Sequence, residues 1–137
     1  MKTERGVPQD YQLALKWHKL AVEKGDAEAQ FKTGVLYENG IGLPKDIQLA
    51  AKWFRRAAEQ GDTDAQFKTG VNYANGIGVP KDYALAYKWF NLAAAKGVKK
   101  ASKWKDDLAK EMNTSQIQEA QKLSREFKPK KEKPSKE

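Results

Sequence analysis

Identical residues recur at intervals of 36 along most of this chain. Gly6, Gly42 and Gly78 are in register, as are Pro8, Pro44 and Pro80, and Asp10, Asp46 and Asp82. Ala14, Ala50 and Ala86, Trp17, Trp53 and Trp89, Ala21, Ala57 and Ala93, and Gly25, Gly61 and Gly97 follow the same spacing. In the other half of each unit Gly34 matches Gly70, Tyr37 matches Tyr73 and Gly40 matches Gly76. A period of this length marks a stack of small supersecondary units, none of which can bury its apolar face alone.

Each unit reads as two helices. Helix A is predicted over 27–38 and 63–74, and helix B over 46–60 and 82–96, with an earlier copy over 10–24. Ala50, Trp53, Phe54 and Ala57 fall at i, i+3, i+4 and i+7, one stripe of a helix. Gln30, Gly34 and Tyr37 form the matching face of helix A, with Phe31 beside it. Asp46 and Asp82 are placed to cap the B helices, and Gly61 and Gly97 stand just past their ends. Residues 39–44 (Asn-Gly-Ile-Gly-Leu-Pro) break the chain between A and B, because proline fixes φ and glycine admits positive φ. The fold class is therefore all-α, with units at about 5–40, 41–76 and 77–112.

The C-terminal end departs from the period. Residues 100–112 take the helix A position of a last unit without its Gly and Tyr. Asn113 and Gln116 predict a capping box opening a helix over 114–127, with Ile117, Ala120, Leu123 and Phe127 on one face. That helix is expected to cap the solenoid by covering its last apolar stripe. Residues 128–137 (Lys-Pro-Lys-Lys-Glu-Lys-Pro-Ser-Lys-Glu) read as a disordered, charged tail, leaving one folded domain over 1–127. The net charge of +8 is unevenly spread. From Lys96 onward, 13 basic side chains face 7 acidic ones, a net of +6; the 13 basic and 11 acidic before it leave +2. Such a tail is more often a solubility device than a definition of the ligand.

The sequence from Asp62 through Gly70, Tyr73, Gly76-Ile77-Gly78 and Asp82, then Trp89-Phe90 and Ala93-Ala94 before Gly97, resembles the Sel-like (Sel-one) repeat family, relatives of the tetratricopeptide solenoids. The resemblance covers roughly 5–112, and residues 112–128 are similar to the C-terminal helix of many bacterial members. It implies a right-handed α/α superhelix of antiparallel helix pairs. It also implies a non-enzymatic scaffold or adaptor for another protein or peptide, with no catalytic residues and no cofactor to carry over. Thr33 and Thr69 stand where the family usually has leucine. Either the core is slightly weaker there, or each hydroxyl bonds a preceding carbonyl.

The chain has no cysteine and one histidine, His18, which falls at the packing position of Phe54 and Phe90; this excludes thiolate chemistry and leaves no metal-ligating set. The Gly-x-Gly pairs follow helices and lack a third glycine, so they read as turns rather than phosphate loops. Glu28, Glu38, Asp62 and Asp64 read as helix-end and surface carboxylates, not as an acid–base pair.

With Gln30, Gly34 and Tyr37 turned inward on a helical wheel, Glu28, Lys32, Val35, Leu36 and Asn39 point the other way. Asp64, Lys68, Val71, Asn72 and Asn75 do the same in the next unit. These ten residues are the expected partner-binding groove on the concave A-helix side: apolar contact for affinity and amides for a peptide backbone. The alternative is an electrostatic surface for an anionic partner or nucleic acid, made by Lys96, Lys99, Lys100, Lys103 and Lys105 around Trp104, with nucleic acid the less favoured partner. The opposite face of helix B (Lys52, Arg55, Arg56, Glu59) reads as solvated.

No run of about 18 apolar residues is present, so no transmembrane helix is expected, and the first residues lack the apolar stretch of a signal peptide. As written the chain is expected in the cytoplasm; with an upstream segment it would be periplasmic or secreted. The first unit starts at its B helix. This leaves a stripe near Leu13, Ala14 and Trp17 open, either as a contact for self-association or as the mark of a missing repeat.

Overall fold

The computed structural model describes residues 9–134; Gly6 and Pro8 of the periodic set, and the tail end 135–137, lie outside the described residues. Among the described residues there are seven helices and no strand. The B helices are α1 (Gln9–Glu23), α3 (Ile47–Glu59) and α5 (Tyr83–Ala95). The A helices are α2 (Ala27–Asn39), α4 (Thr63–Asn75) and α6 (Lys99–Ala109), and α7 (Thr114–Glu126) follows.

The helix ends are set by the expected chemistry. The Asp46 and Asp82 carboxylates accept from the amides of Leu49 and Leu85, each at 3.0 Å. Asp26 and Asp62 do the same for the A helices, accepting from Ala29 and Ala65 at 2.8 Å. Gly40 and Gly76 close α2 and α4 in the left-handed region. Asn113 and Gln116 form the reciprocal capping box of α7.

Packing follows from small residues meeting aromatic ones. Phe54 and Phe90 are fully buried, with their rings against Gly34 and Gly70. α2 and α4 are each flanked by a B helix on both sides, so two of their faces are covered rather than one. This overturns part of the expected groove: Leu36 (6 % exposed) and Asn72 (3 %) are core residues. A wheel that assigns one inward face is right for a helix at the edge of a fold and wrong for one inside a stack. Thr33 and Thr69 are buried too, and their hydroxyls have no hydrogen-bond partner, so of the two readings the bond to a preceding carbonyl is not made.

α7 lies against α5 and covers its apolar stripe, with Ala120 in the core and Phe127 edge-on to Trp89 at 5.5 Å. The chain beyond it is not a free tail. Through residue 134 it runs extended across the junctions where B helices end and A helices begin. Lys130 N–H donates to Glu59 O at 2.8 Å and Glu132 N–H to Gln60 Oε1 at 3.1 Å.

Lys88 reports on this docking. Its ammonium lies 4.5 Å from the Trp89 ring centroid and 5.7 Å from that of Phe127. Burial lowers its pKa below the ordinary 10.5, with Glu59 pulling the other way. The folded state therefore binds fewer protons than the unfolded chain in the interval beneath 10.5, and stability rises with pH there. Urea midpoints measured from neutral pH toward 10.5 are expected to climb in the native chain, and the climb should be missing in Lys88→Met. An equal climb in both would assign it to another group.

Candidate partner-binding face

Of the residues expected in the groove, eight remain outside the core once Leu36 and Asn72 are removed. Several are already engaged within the fold. Lys32 pairs with Glu28 at 3.3 Å and lies 4.0 Å over the Trp17 ring. Lys68 bridges to Glu38 on the neighbouring A helix at 2.7 Å. Asn39 and Asn75 donate to the carbonyls of Val35 and Val71 in their own helices, each at 3.0 Å. Val35 and Val71 are half-buried and Asp64 is exposed. What these residues offer together is a largely self-paired surface.

The concave feature lies one unit further on. A cleft of about 380 Å³ is lined by Asn75 of α4, Lys81, Tyr83 and Phe90 from the α5 side, Trp104, Asp107 and Leu108 of α6, and Glu111 just beyond it. A second recess of about 350 Å³ shares Lys81 and Tyr83 and reaches Gln116. Trp104 is 37 % exposed. Its inner surface packs on Phe67 and Phe90, with centroids at 5.2 and 5.9 Å. By the 36-residue offset Trp104 takes the place of Lys68 and Lys32, the groove row of the earlier units. Sequence reasoning had placed it in the basic cluster; the repeat register was the signal that could have found it. The Lys81 ammonium lies 5.0 Å over the Tyr83 ring, and a hydrogen bond to Tyr83 raises its pKa. Partly exposed indole beside a carboxylate pair, an amide and one cation can hold a short peptide by stacking and hydrogen bonding.

The five lysines of the alternative basic patch do not share a surface purpose. Lys96 donates to Gly61 O, and Lys105 reaches Asn91 Oδ1 at 3.3 Å. Lys99, Lys100 and Lys103 are exposed. His18 packs edge-on to Trp53 and Tyr37 at 5.7 and 6.4 Å. Asp62 caps α4; burial raises its pKa, opposed by the bond from the Ala65 amide. Among the described residues no three His, Asp or Glu side chains are grouped to hold a metal ion, and no helix is long and apolar enough to cross a membrane. On α1, Ala14 is buried and Trp17 half-buried, while Tyr11, Leu13, Leu15 and Val22 are the exposed apolar side chains.

Three segments of the chain, 3–26, 27–62 and 63–98, match the Sel1 repeat. The fold is similar to the crystal structure of a protective antigen of uropathogenic Escherichia coli strains displaying an SLR fold (TM-score 0.80, 34 % identity). That match covers 85 % of this chain and 25 % of the antigen, so the chain spans about a quarter of the antigen's length. It is also similar to a Sel1 repeat protein from Oxalobacter formigenes (TM-score 0.64, 42 % identity), over 68 % of this chain and 70 % of that one. No curated protein matches the chain.

Proposed function

The chain belongs to the Sel1 repeat family, whose members are generally protein-interaction scaffolds, and from that premise we propose that it is an adaptor holding a peptide segment of another protein on its A-helix side. The contact is centred on the cleft between α4, α5 and α6. The observation that carries this reading is Trp104: a large aromatic side chain left open on the A-helix row, seated on a rigid Phe67–Phe90 platform beside a recess of peptide dimensions. Exposed indoles over packed supports are the usual anchors of protein interfaces. Val71, Asn75, Asp64 and Lys68 extend the same face toward the preceding unit and bound the length of segment it takes.

The test is selection of peptides from a displayed library on the immobilised chain, followed by affinity measurement at about 150 mM and about 1 M salt, where the Debye length falls from about 8 to about 3 Å. Peptides that survive high salt and lose at least about 30-fold in affinity with Trp104→Ala support the cleft, a loss typical of an anchoring tryptophan. Binding insensitive to Trp104→Ala, and abolished by high salt or by replacing Lys99, Lys100 and Lys103 with glutamine, overturns it in favour of an electrostatic surface.

A further inference from the structure

The extended segment after α7 is held by a site that the repeat pattern does not require. The Glu132 carboxylate receives Arg56 Nη2 at 2.7 Å, Arg56 Nε at 3.3 Å and Gln30 Nε2 at 2.9 Å. Arg56 is stacked on the Trp53 ring at 4.7 Å, which fixes its fork before any carboxylate arrives. Gln30 (0 % exposed) and Gln60 (4 %) are buried, and they are locked to each other and to the turn. Gln60 Nε2 donates to Gln30 Oε1 at 3.0 Å and to Gly25 O at 2.8 Å, leaving Gln60 Oε1 to accept the Glu132 amide. Two residues earlier in the strand, Lys130 N–H donates to Glu59 O. Alternate backbone amides and one carboxylate are thus bound, while Lys128, Pro129, Lys130, Lys131, Lys133 and Pro134 are exposed.

The site occurs at one junction between units and is not repeated at the next. At the 36-residue offset Leu92 replaces Arg56 and Lys96 replaces Gln60. Lys96 then takes the role of Gln60 toward the turn, donating to Gly61 O, and the Oε1 of Gln66, counterpart of Gln30, is buried without a partner. Generic solenoid geometry therefore does not make a carboxylate receptor; the pair Arg56 and Gln60 does. Gly25 is part of the fit, since a Cβ there would stand 2.8 Å from Glu132 Cβ.

We propose that Gln30, Arg56, Gln60 and the Glu59 carbonyl form a docking site for an extended peptide strand bearing a glutamate, supplied by a partner protein, with residues 128–134 as its resident competitor. The donors converging on one point are all N–H groups, two of them from a cation, so the ligand group is a carboxylate. The alternating backbone bonds require an extended strand. A recess of about 410 Å³ remains between Arg56, Glu59 and the strand at 130–133. Its lining is entirely charged, Arg56 and Glu59 on the solenoid and residues 130–133 on the strand, so a partner strand with longer polar side chains there has room that the resident one leaves unfilled. A second copy's tail has the same sequence as the resident strand and would compete with an effective concentration of order millimolar, which disfavours exchange between copies.

The test uses the full-length chain and a fluorescent peptide of residues 127–134, Phe-Lys-Pro-Lys-Lys-Glu-Lys-Pro, read by anisotropy at about 150 mM salt. Releasing the resident strand with Glu132→Ala is expected to tighten peptide binding about tenfold relative to the native chain, the range that removing a tethered competitor allows. The gain should vanish when Arg56→Gln is added, and with a peptide carrying Gln in place of its Glu. Thermal unfolding of the same variants separates the alternative. Equal peptide affinity for native and Glu132→Ala chains, or binding indifferent to Arg56→Gln, with or without a drop in melting temperature, overturns the proposal and leaves the strand as structural packing. Trp104→Ala is expected to leave this binding unchanged, so failure here and failure of the α4–α6 cleft are read independently.

Discussion

Gly70→Ala is expected to destabilise the protein by about 2 kcal/mol, although alanine is the better helix former by about 1 kcal/mol in a helix interior. The reason is the buried Phe90 ring. A Cβ at position 70 would stand 2.7 Å from Phe90 Cδ1 and 2.8 Å from Cε1, inside any normal carbon contact. The ring cannot swing away freely, because it is 1 % exposed and held between Phe67 and Trp104. Shrinking the ring relieves the clash. Phe90→Leu alone opens a void and destabilises, yet Gly70→Ala/Phe90→Leu should be more stable than the sum of the single effects by at least about 1 kcal/mol, as contacting residues couple. Urea titration of the four chains of this cycle checks it. Strict additivity would show that the small residue and the ring do not constrain each other, and would remove the packing rule on which the helix pair rests. The Gly34–Phe54 pair has the same geometry one unit earlier, with 2.7 Å to Phe54 Cε1, and should behave alike.

That glycine–phenylalanine pairing was legible in the sequence, because both partners recur every 36 residues and a recurrence constrains a fold more tightly than any single propensity. The caps were legible for the same reason and because their chemistry is local. Three features were not, each through a different omission. Leu36 and Asn72 were assigned to a surface because a wheel has no knowledge of a second neighbour; burial in a stack is a two-sided quantity. Residues 128–134 have the composition of a disordered segment, and composition averages over residues while docking can rest on one. Here it rests on Glu132, whose partners Gln30 and Arg56 are 102 and 76 residues away. Trp104 was grouped with the lysines beside it in sequence, whereas its structural neighbours are Phe67 and Phe90 and its equivalents are Lys32 and Lys68. The candidate cleft was therefore half-visible: its row of positions was identified and its strongest member was not.

The two glycines of each A-to-B turn look alike in sequence, and alanine substitution is expected to separate them. Gly76 has φ +67° and no atom within 3.5 Å of a hypothetical Cβ, the nearest being at 3.6 Å. Gly76→Ala meets only the intrinsic penalty of the left-handed region, about 1–2 kcal/mol. Gly78 has φ +74°, and its Cβ would stand 2.6 Å from the carbonyl oxygen of Ile47 and 3.0 Å from Ala51 Cβ. A backbone carbonyl in the first turn of α3 cannot yield without moving the helix, so Gly78→Ala is expected to lose about 3 kcal/mol or more. The two changes also act on different quantities. Gly76 closes α4, a property of one unit, through its N–H to Asn72 O. Gly78 sets how closely the turn before α5 approaches α3, which is a contact between units. In a stack whose cooperativity comes from neighbour contacts, weakening a unit lowers the unfolding midpoint at constant slope, whereas weakening a contact uncouples the units. Gly76→Ala should shift the urea midpoint with its slope intact. Gly78→Ala should shift it further and flatten it, with amide exchange in α1–α3 and α4–α7 ceasing to share one opening free energy. Equal shifts with equal slopes would place the coupling between units in the Phe54 and Phe90 packing alone, with the turn contributing nothing beyond its backbone conformation.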